Sequence, residues 1–336
     1  MIEGKKRYDA LDGVRALACI GIVLMHVLAN TEYNLSGFIY DQMIPSFTNF
    51  TFLFMSVSGF GMCCGYYDRM ISGNIDIVSF YKKRYKKILP FFALLCFMDL
   101  IISPSLNSLY EVFANLTLCF GLIPNADITV IGVGWFLGTV FAFYMLFPFF
   151  CFLLADKKRA WLALIASYIM NYLCRVYFDA GRKSIAYSFI FFMVGGMVYI
   201  YKEEIEKIAS MKWISIILLV ISVGIYYFVP DTTLVMLLIG TCILIMSLFI
   251  SEKGLLINPI MKFIGGISFE IYLSHMFIFR IVEKLHFLEI TRNDYLDYWF
   301  SVLEVLLGVT IFVFVVRFVA QKINVILTKI VWSKKD

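Results

Sequence analysis

The chain is poor in charged residues, which make up only 16% of its 336 positions. Soluble domains contain about 25% charged residues and at most about 50% apolar ones. Here 61% of the residues are hydrophobic and 18% are aromatic. A soluble core of this size cannot bury so much apolar surface, whereas lipid can cover it. The composition therefore excludes an ordinary soluble domain and predicts an integral membrane protein.

The chain also lacks cysteine pairs with the spacing of a metal or redox site. Its eight cysteines all lie inside apolar stretches, and none forms a CxxC motif. We predict reduced packing residues and no metal. No repeat, low-complexity tract or long linker interrupts the sequence, which predicts one membrane domain over residues 1–336 without an appended soluble domain. The net charge of +5 is weak evidence for a nucleic-acid partner. Because the positive residues lie in short loops, they are better explained by membrane topology.

Ten apolar stretches approach the roughly 20 residues that a helix needs to cross the bilayer. They are 13–31, 46–66, 86–103, 132–154, 160–177, 184–201, 213–229, 232–250, 264–283 and 297–323. Prolines and polar residues interrupt 104–131, which predicts a partly helical surface or re-entrant loop there. The Gly-Gly pairs at 195–196 and 265–266 predict close helix contacts.

The lysines and arginines support this count. Most of them fall in the loops that lie inside if the N-terminus is cytoplasmic, whereas the outside loops contain Arg182, Lys183, Lys284 and Arg292. Cytoplasmic loops are enriched in positive residues. The predicted fold is therefore all-α: a polytopic membrane helical bundle of about ten transmembrane helices with both termini cytoplasmic.

The first predicted helix carries two ionisable residues, Arg15 and His26. Eleven residues at about 100° and 1.5 Å each place them on one stripe, roughly 16 Å apart along the axis. Asp12, three residues before Arg15, is placed to contact its guanidinium group. Arg15 alone is equally well explained as an anchor at the interface, and His26 alone is better explained by an interhelical hydrogen bond. Because the two residues lie on one stripe, we predict that both face a common cavity. Arg15 would bind a phosphorylated donor there, and His26 would act as a general base.

Two further segments bring polar residues to the predicted membrane region. A basic run, residues 82–87, precedes the third stretch and includes Lys83, Arg84 and Lys87. Such runs commonly set topology or contact anionic lipid, but this one lies at the same mouth as Arg15 and suits phosphate groups. His275 lies within a span near Tyr272, where a structural hydrogen bond and a catalytic role are equally compatible with the segment. Trp135 is most simply an interfacial aromatic residue.

Four segments together resemble the acyltransferase-3 family of bacterial membrane acyltransferases, and the resemblance covers most of the chain. The segments are LDGVRALACIGIVLMHV; FLFMSVSGFGM, which includes Ser58; FYKKRYKKILP; and ISFEIYLSH, with its Ser-x-x-x-Tyr-Leu-x-His pattern.

The resemblance implies transfer of an acetyl group from cytosolic acetyl-CoA to a hydroxyl of a surface or lipid-linked glycan, across the bacterial inner or plasma membrane. It implies that His26 is catalytic, to which we add His275 of the late motif, and that Arg15, Arg84 and Lys87 bind acyl-CoA. We add Lys83 from the same basic run. Asp12, Ser58, Trp135 and Tyr272 are expected to support these roles.

The sequence departs from the family pattern at two places. Lys87 stands where arginine is common, which removes a planar fork for phosphate. The glutamate that often follows the tryptophan is missing after Trp135, as in the small branch that acetylates exopolysaccharide or lipid-linked sugars. This argues against a mechanism that needs that carboxylate.

A multi-pass transporter or lipid-linked glycan flippase is the main alternative, because such proteins also carry intramembrane polar residues. No matched pair of Gly/Pro-broken half-helices supports it. A non-catalytic scaffold or sensor is a third possibility. The expected partners are acyl-CoA, a glycan or lipid-linked sugar acceptor and membrane lipid, and a homodimer remains open.

Overall fold

The computed structural model describes residues 7–123, 128–230, 232–288 and 290–332, with side chains as far as Lys322. Within these ranges the protein contains helices, turns and loops but no strand. The longer helices are α1 (Ala10–Ala29), α2 (Phe50–Ile71), α3 (Ile77–Ile102), α4 (Leu106–Leu116), α5 (Trp135–Leu154), α6 (Lys157–Val176), α7 (Ile185–Ile200), α8 (Lys202–Lys207), α9 (Met211–Tyr226), α10 (Thr233–Phe249), α11 (Pro259–Gly266), α12 (Ser268–Lys284) and α13 (Asp294–Trp332). Short helical turns occupy Ile39–Met43, Ile44–Ser46, Phe47–Asn49, Phe120–Leu122 and Gly132–Gly134.

The all-α prediction is confirmed for the described residues, and each of the ten predicted stretches lies largely within one helix. The interrupted segment 104–131 contains α4 and a short 3-10 turn, as expected of a partly helical loop. Four helical segments are long and apolar enough to cross a membrane: Ala10–Ala29, Ile39–Ile71, Gly132–Leu154 and Asp294–Lys322. The bent pair α11 and α12 makes a fifth candidate. The structure therefore supports four or five spans, while the count of ten and the location of the termini stay predictions.

Side-chain caps determine where several helices begin. Asp76 accepts hydrogen bonds from the backbone N–H groups of Val78 and Ser79 at the start of α3. Asp156 caps α6 in the same way, through the N–H group of Arg159. These bonds satisfy N–H groups that have no partner inside the helix.

The chain divides into two compact units, and α1 contributes to both. The first unit comprises residues 7–18 and 49–265 and has a core rich in phenylalanine. Phe143 stacks on Phe192 with ring centroids 4.1 Å apart, and Phe52 stacks on Phe191 at 4.0 Å. Offset stacking of this kind adds to the free energy of burial. It joins α2 and α5 to α7.

Glycines allow the closest helix approach in the first unit. A Cβ atom on Gly195 of α7 would lie 2.1 Å from the carbonyl oxygen of Ser56 in α2. A Cβ atom on Gly265 would lie 2.1 Å from the carbonyl oxygen of Asp12. The predicted close contacts are thus confirmed for Gly195 and Gly265, as well as for Gly196, which faces Phe150. The prediction is wrong for Gly266, where a Cβ atom would meet no described atom within 4 Å. That glycine ends α11 at the bend before α12.

The second unit comprises residues 19–48 and 266–332. Tyr33 donates a hydrogen bond to the carbonyl oxygen of Leu288, and the backbone N–H of Asn34 donates to Asp294 at 2.8 Å. The hydroxyl of Tyr298 donates to the carbonyl oxygen of Leu24 at 3.1 Å. These bonds hold the loop after α1 and the second half of α1 against the start of α13.

Glu111 in α4 ties the segment before α5 in place. Its carboxylate accepts hydrogen bonds from the backbone N–H groups of Thr129 and Val130 and from the Thr129 hydroxyl. Burial by itself would raise the pKa of Glu111, but these hydrogen bonds outweigh it and hold the pKa below the ordinary value. The ionised carboxylate is therefore part of the folded structure.

Several helices expose large apolar side chains along one face. In α9 the exposed residues include Trp213, Ile217 and Val220, and in α13 they include Leu307 and Ile311. Exposed apolar surface of this extent is unfavourable in water and favourable in lipid. The surface therefore agrees with the composition in indicating a membrane protein.

Candidate functional site

Two histidines from distant parts of the sequence meet inside the second unit. Nε2 of His275 in α12 lies 3.2 Å from Nδ1 of His26 in α1, and the ring centroids are 4.8 Å apart. His275 is 1% exposed, and His26 is partly buried. The structure thus brings together both histidines that the sequence singled out. Polar contacts inside a membrane domain are costly unless they are satisfied and are typical of functional sites.

Neighbouring backbone carbonyls determine which ring nitrogens carry protons in the neutral pair. Nδ1 of His275 lies 3.2 Å from the carbonyl oxygen of Ile271, which accepts only if that nitrogen is protonated. Nε2 of His275 is then an acceptor directed at His26. Nδ1 of His26 lies 3.0 Å from the carbonyl oxygen of Ile22, so it also carries a proton. We therefore assign the Nδ1–H of His26 as a donor shared between the Ile22 carbonyl and Nε2 of His275, which leaves the basic lone pair of His26 on Nε2.

Three further contacts lie near the histidine pair. The Tyr272 ring lies 6.0 Å from the His275 ring and is 5% exposed. One turn earlier in α12, Glu270 forms an ion pair with Arg317 of α13. The thiol of Cys19, two turns before His26, donates to the carbonyl oxygen of Ser268 at 3.5 Å. These contacts join α1, α12 and α13 near the histidines, while the accessory role of Tyr272 stays a prediction.

Arg15 and its neighbours form a second polar cluster, which belongs to the first unit. Nη1 of Arg15 donates to a carboxylate oxygen of Asp12 at 2.9 Å, so the predicted contact within α1 is confirmed. Asp12 is held in turn by Arg7 at 3.0 Å and by the close approach of Gly265 to its carbonyl. A Cβ atom on Gly61 of α2 would lie 3.2 Å from Nη2 of Arg15. The guanidinium group therefore lies against a part of α2 that has no side chain.

Arg84 of α3 lies in an aromatic environment near the same cluster. Its guanidinium carbon is 4.7 Å from the centroid of the Tyr66 ring and 5.6 Å from that of Tyr144. Nη2 donates to the Tyr66 hydroxyl, and Nη1 donates to the sulfur of Met62 at 3.5 Å. Arg84 therefore lies between aromatic rings of α2 and α5.

The part of the chain that the structure describes holds no acid paired with Arg84. Among the residues that the structure describes, no carboxylate forms a salt bridge with Arg84, and its buried Nε makes no hydrogen bond. Arg15, by contrast, is paired with Asp12. A partly buried cation without a counter-ion is costly to maintain and is stabilised by an anionic ligand. The arrangement therefore suits a phosphate group.

The other predicted site residues are less closely involved. Lys83 and Lys87 are exposed on α3, and Lys83 makes no hydrogen bond or ion pair with any described residue. Ser58 lies half-buried on α2, one turn before Gly61. Trp135 is the first residue of α5 and is half-buried beside Phe136. Their predicted roles stay predictions.

The sequence patterns did not indicate the tyrosines around Arg84. Tyr66 and Met62 lie four residues apart on one face of α2, and Tyr144 lies in the middle of α5. Tyrosines in an apolar helix are common, so spacing alone does not identify a cation-binding face. The weak signal is the small or polar series Ser58, Gly61 and Gly65 on α2, which keeps one helix face open.

Across the described ranges, no three His, Cys, Asp or Glu side chains come together in a way that could hold a metal ion. The prediction that the enzyme needs no metal stays a prediction. All eight cysteines are free thiols.

Comparison with known proteins adds one finding. A family model described as an acyltransferase domain, that of the acyltransferase-3 family, matches residues 8–319. No curated protein and no solved structure matches the chain. The matched range contains both histidines and both arginines of the clusters described above.

Proposed function

The chain belongs to the acyltransferase-3 family and is a membrane acyltransferase, and on that premise we propose that it O-acetylates a glycan. The acetyl group comes from cytosolic acetyl-CoA, and the acceptor is a hydroxyl of a cell-surface or lipid-linked glycan. The protein acts as a multi-pass protein of the bacterial plasma membrane. The observation that carries the proposal is the contact between His26 and His275, 3.2 Å apart in a buried setting.

The reaction needs a base because a sugar hydroxyl is a weak nucleophile. Nε2 of His26 accepts the hydroxyl proton while the oxygen attacks the carbonyl carbon of the thioester. An ester C–O bond forms, the C–S bond breaks, and His26 returns the proton to the departing thiolate. No proton is gained or lost overall, so one imidazole serves as base and then as acid.

His275 positions His26 and stabilises its charged form. When Nε2 of His26 takes the proton, Nδ1–H becomes part of an imidazolium and donates a stronger hydrogen bond to Nε2 of His275. His275 makes this possible because its own Nδ1 proton is directed to Ile271. The arrangement resembles an acid that orients a catalytic histidine, with a neutral ring in place of the carboxylate.

Arg84 and Arg15 are the proposed contacts for the phosphate groups of acetyl-CoA. Arg84 is the stronger candidate because no described carboxylate balances its charge, and because Tyr66 fixes its planar group. Arginine binds phosphate through two parallel hydrogen bonds, which favours such a fixed fork. Lys83 and Lys87 then add positive potential from the exposed face of α3.

The test is transfer of radiolabelled acetyl from acetyl-CoA to surface polysaccharide from which the O-acetyl groups have been removed by mild base. Purified protein in lipid nanodiscs is expected to label the polysaccharide. His26→Ala is expected to reduce kcat about 10²- to 10⁴-fold, the usual contribution of a general base. Full activity in a folded His26→Ala variant would overturn the proposed role. A flippase would leave acetyl-CoA intact, so absence of transfer by the unmodified protein would favour that alternative.

A further inference from the structure

A polar cavity of about 290 Å³ lies in the first unit. It is formed where α2, α7 and α10 begin and where α6 ends. The polar residues that line it include Asn49, Arg175, Asp179, Arg182, Tyr187 and Thr233. None of them belongs to α1 or α12, the helices that carry the two histidines. The cavity is therefore a feature that the proposed chemistry does not use.

Hydrogen bonds hold the loop that supplies most of this lining. The N–H group of Ala180 donates to the carbonyl oxygen of Cys174 at 2.9 Å, which closes the end of α6. The buried hydroxyl of Ser188 donates to the carbonyl oxygen of Arg182 at 2.9 Å. Asp179 has φ of +46°, a left-handed conformation that aspartate and asparagine tolerate better than most residues. These hydrogen bonds fix the backbone of the loop that carries Asp179 and Arg182.

Contacts also hold the lining residues Asn49 and Tyr187 in place. The amide nitrogen of Asn49 donates to the Tyr226 hydroxyl at 2.7 Å, which orients the Asn49 side chain. The Tyr187 ring lies 6.2 Å from Phe52, which stacks in turn on Phe191 in the core. An aromatic ring therefore lines the cavity beside the planar polar groups.

We propose that this cavity is a subsite for one sugar ring of the acceptor glycan; the proposal rests on the proposed function. A sugar ring has neighbouring hydroxyls that both donate and accept, and an apolar face formed by its C–H groups. The guanidinium, amide and carboxylate groups of Arg182, Asn49 and Asp179 supply paired donors and acceptors for such hydroxyls. Tyr187 supplies an aromatic surface for the C–H face. The volume lies at the lower end of small-molecule sites, roughly 300–1,000 Å³, which fits a single ring rather than an oligosaccharide.

The position of the cavity agrees with this occupant. Its residues come from the ends of segments that the charge distribution predicts to face outside: those around 31–46, 177–184 and 229–232. A surface glycan or the sugar of a lipid-linked precursor arrives from that side under the proposed function. Under this proposal the cavity binds the acceptor, and the transfer step is assigned to the histidines.

Arg182→Gln and Asp179→Asn test the subsite. Both remove a charged hydrogen-bonding group, and asparagine keeps the left-handed conformation of residue 179 accessible. The matched control is Lys183→Gln, which removes a charge from the adjacent residue, whose side chain does not line the cavity. The probe is an oligosaccharide fraction of the surface polysaccharide, freed of O-acetyl groups by mild base and radiolabelled for equilibrium dialysis.

Each cavity variant is expected to weaken oligosaccharide binding and raise the acceptor KM about tenfold, the loss for one hydrogen bond to a charged group. The KM for acetyl-CoA and kcat are expected to stay within twofold of the unmodified protein, as is every parameter of Lys183→Gln. Unchanged acceptor KM and binding in both cavity variants, with transfer intact, would overturn the subsite alone. A fall in kcat at constant acceptor KM would do so as well. Oligosaccharide binding that the cavity variants weaken, without any acetyl transfer by the unmodified protein, would support the sugar site and overturn the proposed reaction.

Discussion

Replacing His275 with leucine removes the nitrogen that accepts the hydrogen bond from His26. In the folded protein, Nε2 of His275 is 3.2 Å from Nδ1 of His26. Leucine has no polar atom to take its place, and its apolar side chain suits a position that is 1% exposed. The substitution therefore removes the hydrogen bond without leaving an unpaired polar atom at residue 275.

The size of the effect follows from the kind of bond that is lost. A hydrogen bond to a charged group contributes about 1.5–3 kcal/mol. This bond reaches that strength only when His26 is an imidazolium, which occurs on the way to the transition state. Since about 1.4 kcal/mol corresponds to a factor of ten in rate, kcat is expected to fall roughly 10- to 150-fold. The upper end of that range only reaches the lower end of the loss expected for His26→Ala, about 10²-fold.

The assay is the initial rate of acetyl transfer in nanodiscs at saturating acceptor, with acetyl-CoA varied. We expect kcat to fall in His275→Leu and the KM for acetyl-CoA to stay unchanged, because His275 is not among the proposed donor contacts. The matched control is Ser274→Ala, which removes a neighbouring buried hydroxyl whose one hydrogen-bond partner among the described residues is the carbonyl of Glu270 in its own helix. In the double variant His26→Ala/His275→Leu, no further loss beyond His26→Ala is expected, because the two rings act as one unit.

Two results would refute this account of the pair. If His275→Leu kept the full kcat, the contact would be structural only. If it lost as much activity as His26→Ala while remaining folded, His275 would have to be the base itself.

Three other outcomes follow from the structure. Arg84→Ala is expected to raise the KM for acetyl-CoA at least tenfold with little change in kcat, as measured by steady-state kinetics. The control Lys82→Ala, whose side chain points about 200° around the same helix from Arg84, should leave that KM unchanged. Gly195→Ala places a Cβ atom 2.1 Å from a backbone oxygen of α2 and is expected to destabilise the fold by about 1–3 kcal/mol or more. The measurement is a lower Tm in detergent. The control Gly224→Ala, where no described atom lies within 4 Å of the added Cβ, should leave Tm unchanged. Because its folded pKa is lowered, the Glu111 carboxylate contributes stability that is complete above the ordinary pKa of about 4.3 and is lost as the pH falls through the lowered value. Glu111→Gln should therefore reduce Tm at pH 7 and flatten its decline in acid; equal slopes in the two proteins would contradict this.

Much of the local structure could be predicted because it depends on residues close together in the chain. Apolar stretches of sufficient length become helices, and the contact of Asp12 with Arg15 follows from a separation of three residues on one helix. The family was also accessible, because its motifs are short and their order is preserved over residues 8–319. The error at Gly266 shows the limit: a Gly-Gly pair indicates that a close approach is possible, but only one of those two glycines, Gly265, meets a neighbouring backbone.

The sequence by itself determined that the protein is a membrane-embedded, all-helical acyltransferase, and it identified the ionisable residues that are candidates for its site. Only the tertiary structure decided that Nε2 of His275 meets Nδ1 of His26 across 249 residues, that Tyr66 and Tyr144 surround Arg84, and that four helix ends enclose a polar cavity. The physical reason is the range of the interactions. Helical periodicity assigns each side chain to a face of its own helix, but which faces meet depends on the packing of all the helices together.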